Sequence, residues 1–220
     1  KDFDGDCAAA EFRRLAGMPA RAFLGRGVID GKQEGRRLTL PDMRSMIEAC
    51  SPPGRQVGVA FDEWNVWYAW YRTPGVAEGI YAAAMLGEFC RQARGQGMTI
   101  GAYFEPINEG AILVDPAGSR LTPIGQVMSL FKPHHGRQLL AVRVSPAPDA
   151  MDAVDAVDAI DAAASIDEPT GRITLTLVNP SPDQPADVEV ALAGAIGPYA
   201  AKGTLLSSPD FLPGSTFRSA

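Results

Sequence analysis

The sequence predicts an α/β unit with a parallel sheet, followed by an antiparallel all-β unit. Three observations carry that expectation. Residues 39–131 read helix, strand, helix, strand, helix, the order that sets crossover helices against parallel strands. After residue 136 the pattern changes to short alternating strands divided by Pro, Gly and Asp, as in an antiparallel sandwich. At 220 residues and 46% hydrophobic content, the chain can bury the core of one large domain or two small ones.

The elements follow in order. "KDFDGD" and "GRGVIDGKQEGRR", within residues 1–38, are rich in Gly and charge and read as loop, with "CAAAEFRRLAG" as a short helix between them. In "TLPDMRSMIEAC", Thr39 and Asp42 have capping-box spacing and Pro41 suits a first helical turn. Met43, Met46, Ile47 and Cys50 then share one helical face, and "SPPG" stops the helix. "QVGVAF" reads as a buried strand over 56–62. After Pro74-Gly75, "VAEGIYAAAMLGEFCRQAR" is a long Ala-rich helix with Glu78 in its first turn. "MTIGAYF" is a second buried strand, and "TPIGQVMSLF" a third helix. "LFKPHHGR" marks the boundary, which gives units 1–135 and 136–220. "RQLLAVRV", "RITLTLVN", "ADVEVALA" and "KGTLLSS" are the strands of the second unit.

One low-complexity tract, "DAMDAVDAVDAIDAAAS" at 149–165, repeats Asp every third residue. A calcium loop would need ligands at alternate positions and a central Gly, which it lacks. It reads instead as a solvated linker or a strand lead-in.

Composition excludes several classes. A net charge of −6 argues against nucleic acid or an anionic membrane as the main partner. No apolar run reaches the ~18 residues of a membrane span, and no signal peptide is visible. The three cysteines, Cys7, Cys50 and Cys90, form neither a disulfide framework nor a zinc pattern, which favours a reducing, cytoplasmic setting. No phosphate-binding Gly loop and no G-x-S-x-G elbow occurs. His134 and His135 read as a solvated helix cap rather than a metal pair.

The chemistry gathers at the strand ends. In parallel α/β folds, sites lie at the carboxyl ends of strands. By strand alternation Val59, Phe61 and Glu63 share a face, with Asp62 on the other. Glu63 is an ionisable group at the tip of an apolar strand, beside Trp64 and Trp67, and is costly to bury unpaired. In "YFEPINEG", Gly101, Tyr103 and Glu105 share a face by the same rule. Adjacent strands lie ~4.8 Å apart, so Glu63 and Glu105 can meet across one pocket. Two carboxylates ~5–5.5 Å apart beside aromatic walls suit a retaining glycosidase, one as nucleophile and one as proton donor. Alternatively, Glu105 binds a sugar hydroxyl or caps its loop. Trp64, Trp67, Tyr68, Trp70 and Tyr71 offer flat faces for a sugar, although at least two of the five should be structural.

"VAFDEWNVWY", residues 59–68, resembles the strand-7 motif of family 51 glycoside hydrolases, the α-L-arabinofuranosidases. The order of elements downstream is also similar, down to the "TLVNPS" strand at 176–181. The resemblance spans about residues 39–190 and is most specific over 57–68. It implies the C-terminal portion of a (β/α)8 TIM barrel in residues 1–135 and a jelly-roll-like antiparallel β-sandwich in 136–220. The implied reaction is a retaining double displacement on terminal arabinofuranosyl units. Glu63 is its nucleophile, and Trp64, Asn65, Trp67, Glu105 and Asn108 contact the sugar. No metal and no organic cofactor is implied. The partner is a carbohydrate, and the resemblance leaves room for a homo-oligomer of the full-length protein.

The family's G-N-E motif, which carries its acid/base Glu, does not occur in these 220 residues. A complete barrel takes ~250 residues. The expectation is therefore that the proton donor lies upstream of Lys1 and that the 220-residue chain alone is inactive. In the family's A-Q-x-V-N segment, Glu105 stands where Gln is usual and Asn108 keeps the Asn. The resemblance thus favours sugar binding over proton donation for Glu105. The competing expectation is a catalytically incomplete fragment that acts only as a sugar-binding or structural module.

Overall fold

The structure, a computed structural model, describes residues 39–65, 73–145, 160–194, 199–212 and 214–219. The helix expected within residues 7–17 lies outside them, as do Trp67, Tyr68, Trp70 and Tyr71.

Helix α1 (Leu40–Cys50) begins with the expected capping box. The Asp42 amide donates to Thr39 Oγ1 at 3.2 Å, and the Thr39 amide donates to Asp42 Oδ2 at 3.0 Å. These bonds satisfy two N–H groups that a helix start leaves open. The expected apolar face is only partly covered: Leu40 is buried and Met43 packs on the core, but Met46 is 55% exposed. Arg44 Nη1 donates to Val57 O at 2.6 Å and ties α1 to the lead-in of the next strand.

Strands β1 (Val59–Trp64) and β2 (Met98–Tyr103) pair in parallel, with helix α2 (Val76–Gln96) between them in sequence. This is a β–α–β unit, as expected. Glu78, 1% exposed, accepts from the Gly75 amide at 2.8 Å and starts α2. Gly97, at φ +67°, ends the helix in the left-handed conformation that glycine adopts without penalty.

A hairpin of β3 (Ile112–Asp115) and β4 (Gly118–Leu121) follows, then helix α3 (Pro123–Phe131) with Thr122 as its N-cap. The sequence reading missed the hairpin, although "DPAG" is a turn sequence. Its Ala117 amide donates to Asp115 Oδ1 at 2.8 Å.

After a 3-10 turn at Lys132–His134 come β5 (Gln138–Leu140), β6 (Asp161–Asp167) and β7 (Arg172–Val178), one antiparallel sheet in that order. β6 is the end of the Asp-rich tract, so that end is strand rather than linker, with Ala162, Ala163, Ala164 and Ser165 buried. Short strands β8 (Leu206–Ser207) and β9 (Arg218–Ser219) pair at the end. "ADVEVALA" forms no strand among the described residues. Among these residues the parallel sheet has two strands and the largest antiparallel sheet three, so they complete neither a barrel nor a two-layer sandwich.

Among the described residues, one apolar core runs across the expected boundary. It joins Trp64, Val76, Tyr81, Met85, Met98, Ile124 and Phe131 to Ala163, Val178 and Phe217. The C-terminal segment returns to the start of α2. There the Val76 amide donates to Ser215 Oγ at 3.0 Å, and Phe217 rests where Gly79 has no side chain.

Candidate active site at the carboxyl ends of two parallel strands

The acidic-aromatic stretch does not follow simple alternation. Phe61 and Trp64 both pack on Phe89 of α2, with ring centroids 5.7 and 5.4 Å away. A side chain three positions on shares that side only because the register shifts between Phe61 and Trp64. The shift leaves Asp62 and Glu63 both exposed. Phe61 and Glu63 therefore do not share a face, which corrects the alternation drawn from sequence. The irregularity turns an acid out of an apolar strand at its carboxyl end.

Trp64 is correspondingly core. It is 5% exposed and meets Tyr103 edge-on at 4.8 Å, with Tyr81 at 6.5 Å on the helix side. The register shift that exposes Glu63 thus buries the indole of Trp64, where a sugar contact was expected. Burial pushes the Tyr81 hydroxyl up to about 12.

The exit of β2 is shaped by its neighbours. The Phe104 amide donates to Trp64 O at 3.0 Å and extends the parallel ladder by one residue. Asn65 Nδ2 donates to Phe104 O at 2.9 Å and to Glu109 O at 3.2 Å, and Asn65 Oδ1 accepts from the Tyr103 hydroxyl at 2.6 Å. Gly110 makes this possible, since a Cβ there would collide with that hydroxyl. Between the two carbonyls, Glu105 (φ +49°) and Asn108 (φ +62°) are left-handed, an uncommon state for residues with a Cβ and one often found at functional sites. Asn108 Oδ1 accepts from the Val114 amide at 2.7 Å, which anchors the loop to the hairpin.

Three carboxylates meet here. Glu105 is exposed, and its hydrogen bond with Glu109 raises its pKa above the ordinary value, with the Glu63 charge adding to the rise. The Glu63 charge is the smallest of the contributions to that rise. Glu109 was missed in the sequence reading. Its place in "EPINEG", four residues after Glu105, was the available signal. Among the described residues, no group of three or more His, Cys, Asp or Glu is placed to hold a metal ion, and no helix is long and apolar enough to cross a membrane.

The family model of the α-L-arabinofuranosidase C-terminal domain matches residues 62–219, starting one residue before Glu63. The chain belongs to this family. Its fold is similar to the crystal structure of the GH51 arabinofuranosidase from Xanthomonas axonopodis pv. citri, with a TM-score of 0.52 and 16% sequence identity. That similarity covers 81% of this chain and 34% of the other, so the chain spans about a third of the length of that enzyme. No curated protein matches the sequence.

In this arabinofuranosidase-family chain, the site residues expected from sequence divide into three groups. Glu63, Glu105 and Asn108 are exposed together at the strand ends. Trp64 and Asn65 are engaged inside the protein. Trp67 lies outside the described residues.

His134 also departs from expectation. It is 6% exposed rather than solvated, with Nδ1 2.8 Å from Ser165 Oγ and Nε2 2.9 Å from Thr176 Oγ1. Burial holds its pKa below the ordinary 6.5. Its role is to join the end of α3 to β6 and β7, while His135 stays exposed.

Proposed function

We propose that this chain is the C-terminal part of a retaining α-L-arabinofuranosidase-like glycoside hydrolase. It would release terminal arabinofuranosyl units from arabinose-containing polysaccharides or oligosaccharides. In this reading, residues 1–135 supply the last strands and helices of a (β/α)8 barrel and residues 136–220 supply a β-sandwich. The observation that carries the proposal is Glu63, exposed at the carboxyl end of β1, inside D-E-W-N-x-W, at the start of the family match.

The chemistry assigned to Glu63 is a double displacement. A carboxylate oxygen attacks the anomeric carbon as the bond to the leaving oxygen breaks, and that oxygen takes a proton from the acid/base residue. The product is a glycosyl-enzyme ester on Glu63. Water then attacks the same carbon, gives up its proton to the acid/base residue and frees the carboxylate. In this reading Glu105 and Asn108, with Trp67, contact the sugar. Glu63→Gln in the full-length protein, folded to wild-type stability, should lose nearly all turnover of an aryl arabinofuranoside. Retained turnover would sink the assignment.

One observation favours a second reading, in which Glu63 is the nucleophile and Glu105 the proton donor to the leaving oxygen. A proton donor needs a raised pKa, and Glu105 has one. On an activated aryl substrate, a Glu105→Gln variant whose turnover azide restores would support that pairing. A catalytically incomplete module is the remaining alternative, and turnover by the 220-residue chain alone would exclude it.

A further inference from the structure

Asn65 lies two residues after Glu63, where a sugar contact was expected. However, its side chain is directed into the protein. Both amide hydrogens are used, on Phe104 O and Glu109 O, the carbonyls that bracket the loop of residues 105–108. The amide oxygen takes the Tyr103 hydroxyl at 2.6 Å. A hydroxyl donor on one side and two carbonyls on the other fix which end of the amide is which.

We propose that Asn65 is a positioning residue: its amide, oriented by the Tyr103 hydroxyl, holds the loop that carries Glu105 and Asn108 in register with Glu63. The inference rests on the reading of that loop as the sugar-facing edge of the site.

Three further features agree with this role. The loop has two left-handed residues, Glu105 and Asn108, a conformation that persists only where the surroundings hold it. Pinning the carbonyls at both ends is such a constraint. Gly110 leaves room for the Tyr103 hydroxyl to reach the amide. Burial raises the Tyr103 pKa, with the Tyr81 and Glu78 charges adding to it, so the phenol stays a proton donor across ordinary pH. The chemistry also excludes simple replacements. Aspartate at position 65 would present acceptors to two carbonyls, and alanine would present nothing.

The test has two arms. In the first, the carboxyl of Glu105 is titrated by NMR in the full-length protein labelled with 13C-glutamate, its resonance assigned with Glu105→Gln. In the wild type its midpoint should lie above the ordinary glutamate value, as the hydrogen bond with Glu109 implies. Asn65→Ala and Asn65→Asp should return it toward the ordinary range, because the loop that seats Glu105 against Glu109 is released. Tyr103→Phe removes one oxygen only, and should shift the midpoint the same way even if the Asn65 variants fold poorly.

In the second arm, Tyr103→Phe and Asn65→Ala are assayed in the full-length protein on an aryl arabinofuranoside. KM should rise about tenfold with a smaller change in kcat, the signature of lost sugar binding rather than lost chemistry. An unmoved Glu105 midpoint overturns the positioning role, whatever happens to KM. A moved midpoint with KM unchanged supports the positioning role and overturns the sugar-facing reading beneath it.

Discussion

Arg91 of α2 and Asp161 of β6 form a two-bond ion pair, with Nη1–Oδ1 at 2.6 Å and Nη2–Oδ2 at 3.0 Å. Glu88 accepts a third bond from Arg91 at 3.0 Å. The pair ties the helix of the parallel unit to the antiparallel sheet. Burial works against the Arg91 charge, but Asp161 and then Glu88 more than offset it, so the guanidinium pKa is raised. Asp161→Ala should lower stability by about 1–2 kcal/mol. That is toward the low end for a charged hydrogen bond, because both side chains keep some water contact. Urea unfolding of the two proteins measures it, and an unchanged midpoint would remove the pair from any role in joining the units.

Acid should loosen the same junction through His134. Its folded pKa lies below 6.5, so the unfolded chain binds the proton more readily. The neutral ring's contribution is complete above about pH 6.5 and falls as pH drops from there toward the folded pKa. Urea midpoints between pH 7.5 and 5 should therefore decline more steeply for the wild type than for His134→Gln. Parallel curves would contradict the assignment.

Gly110→Ala should cost about 1–3 kcal/mol, the usual range for forcing atoms into a filled site. The added methyl would meet the Tyr103 hydroxyl, and with it the bond to Asn65. Unfolding by urea reads the cost, and a neutral change would mean that the loop yields freely.

Much of the first unit was legible in the sequence because its signals are local. Thr39 and Asp42 announced α1, Pro74-Gly75 and Gly97 bracketed α2, and Thr122-Pro123 announced α3. The placement of Glu63 and Glu105 on neighbouring strand ends followed from one helix joining two strands. What was not legible depends on partners far along the chain. The shift between Phe61 and Trp64, which sets both rings against Phe89, is not something strict alternation could show. His134 looks like a solvated cap until β6 and β7 fold over it. "ADVEVALA" has the strand period, but pattern alone does not supply a neighbouring strand. Asn65 sits in a recognisable motif, yet its work depends on carbonyls 39 and 44 residues away.

The central claim is that Glu63 attacks the sugar. The most direct measurement is to treat the full-length protein with a 2-deoxy-2-fluoro arabinofuranosyl inactivator bearing a good leaving group, and to locate the label by peptide mass spectrometry. The account predicts one sugar per chain, esterified to Glu63, and no label in Glu63→Gln. A label on another carboxylate, with Glu63→Gln still active, would contradict it.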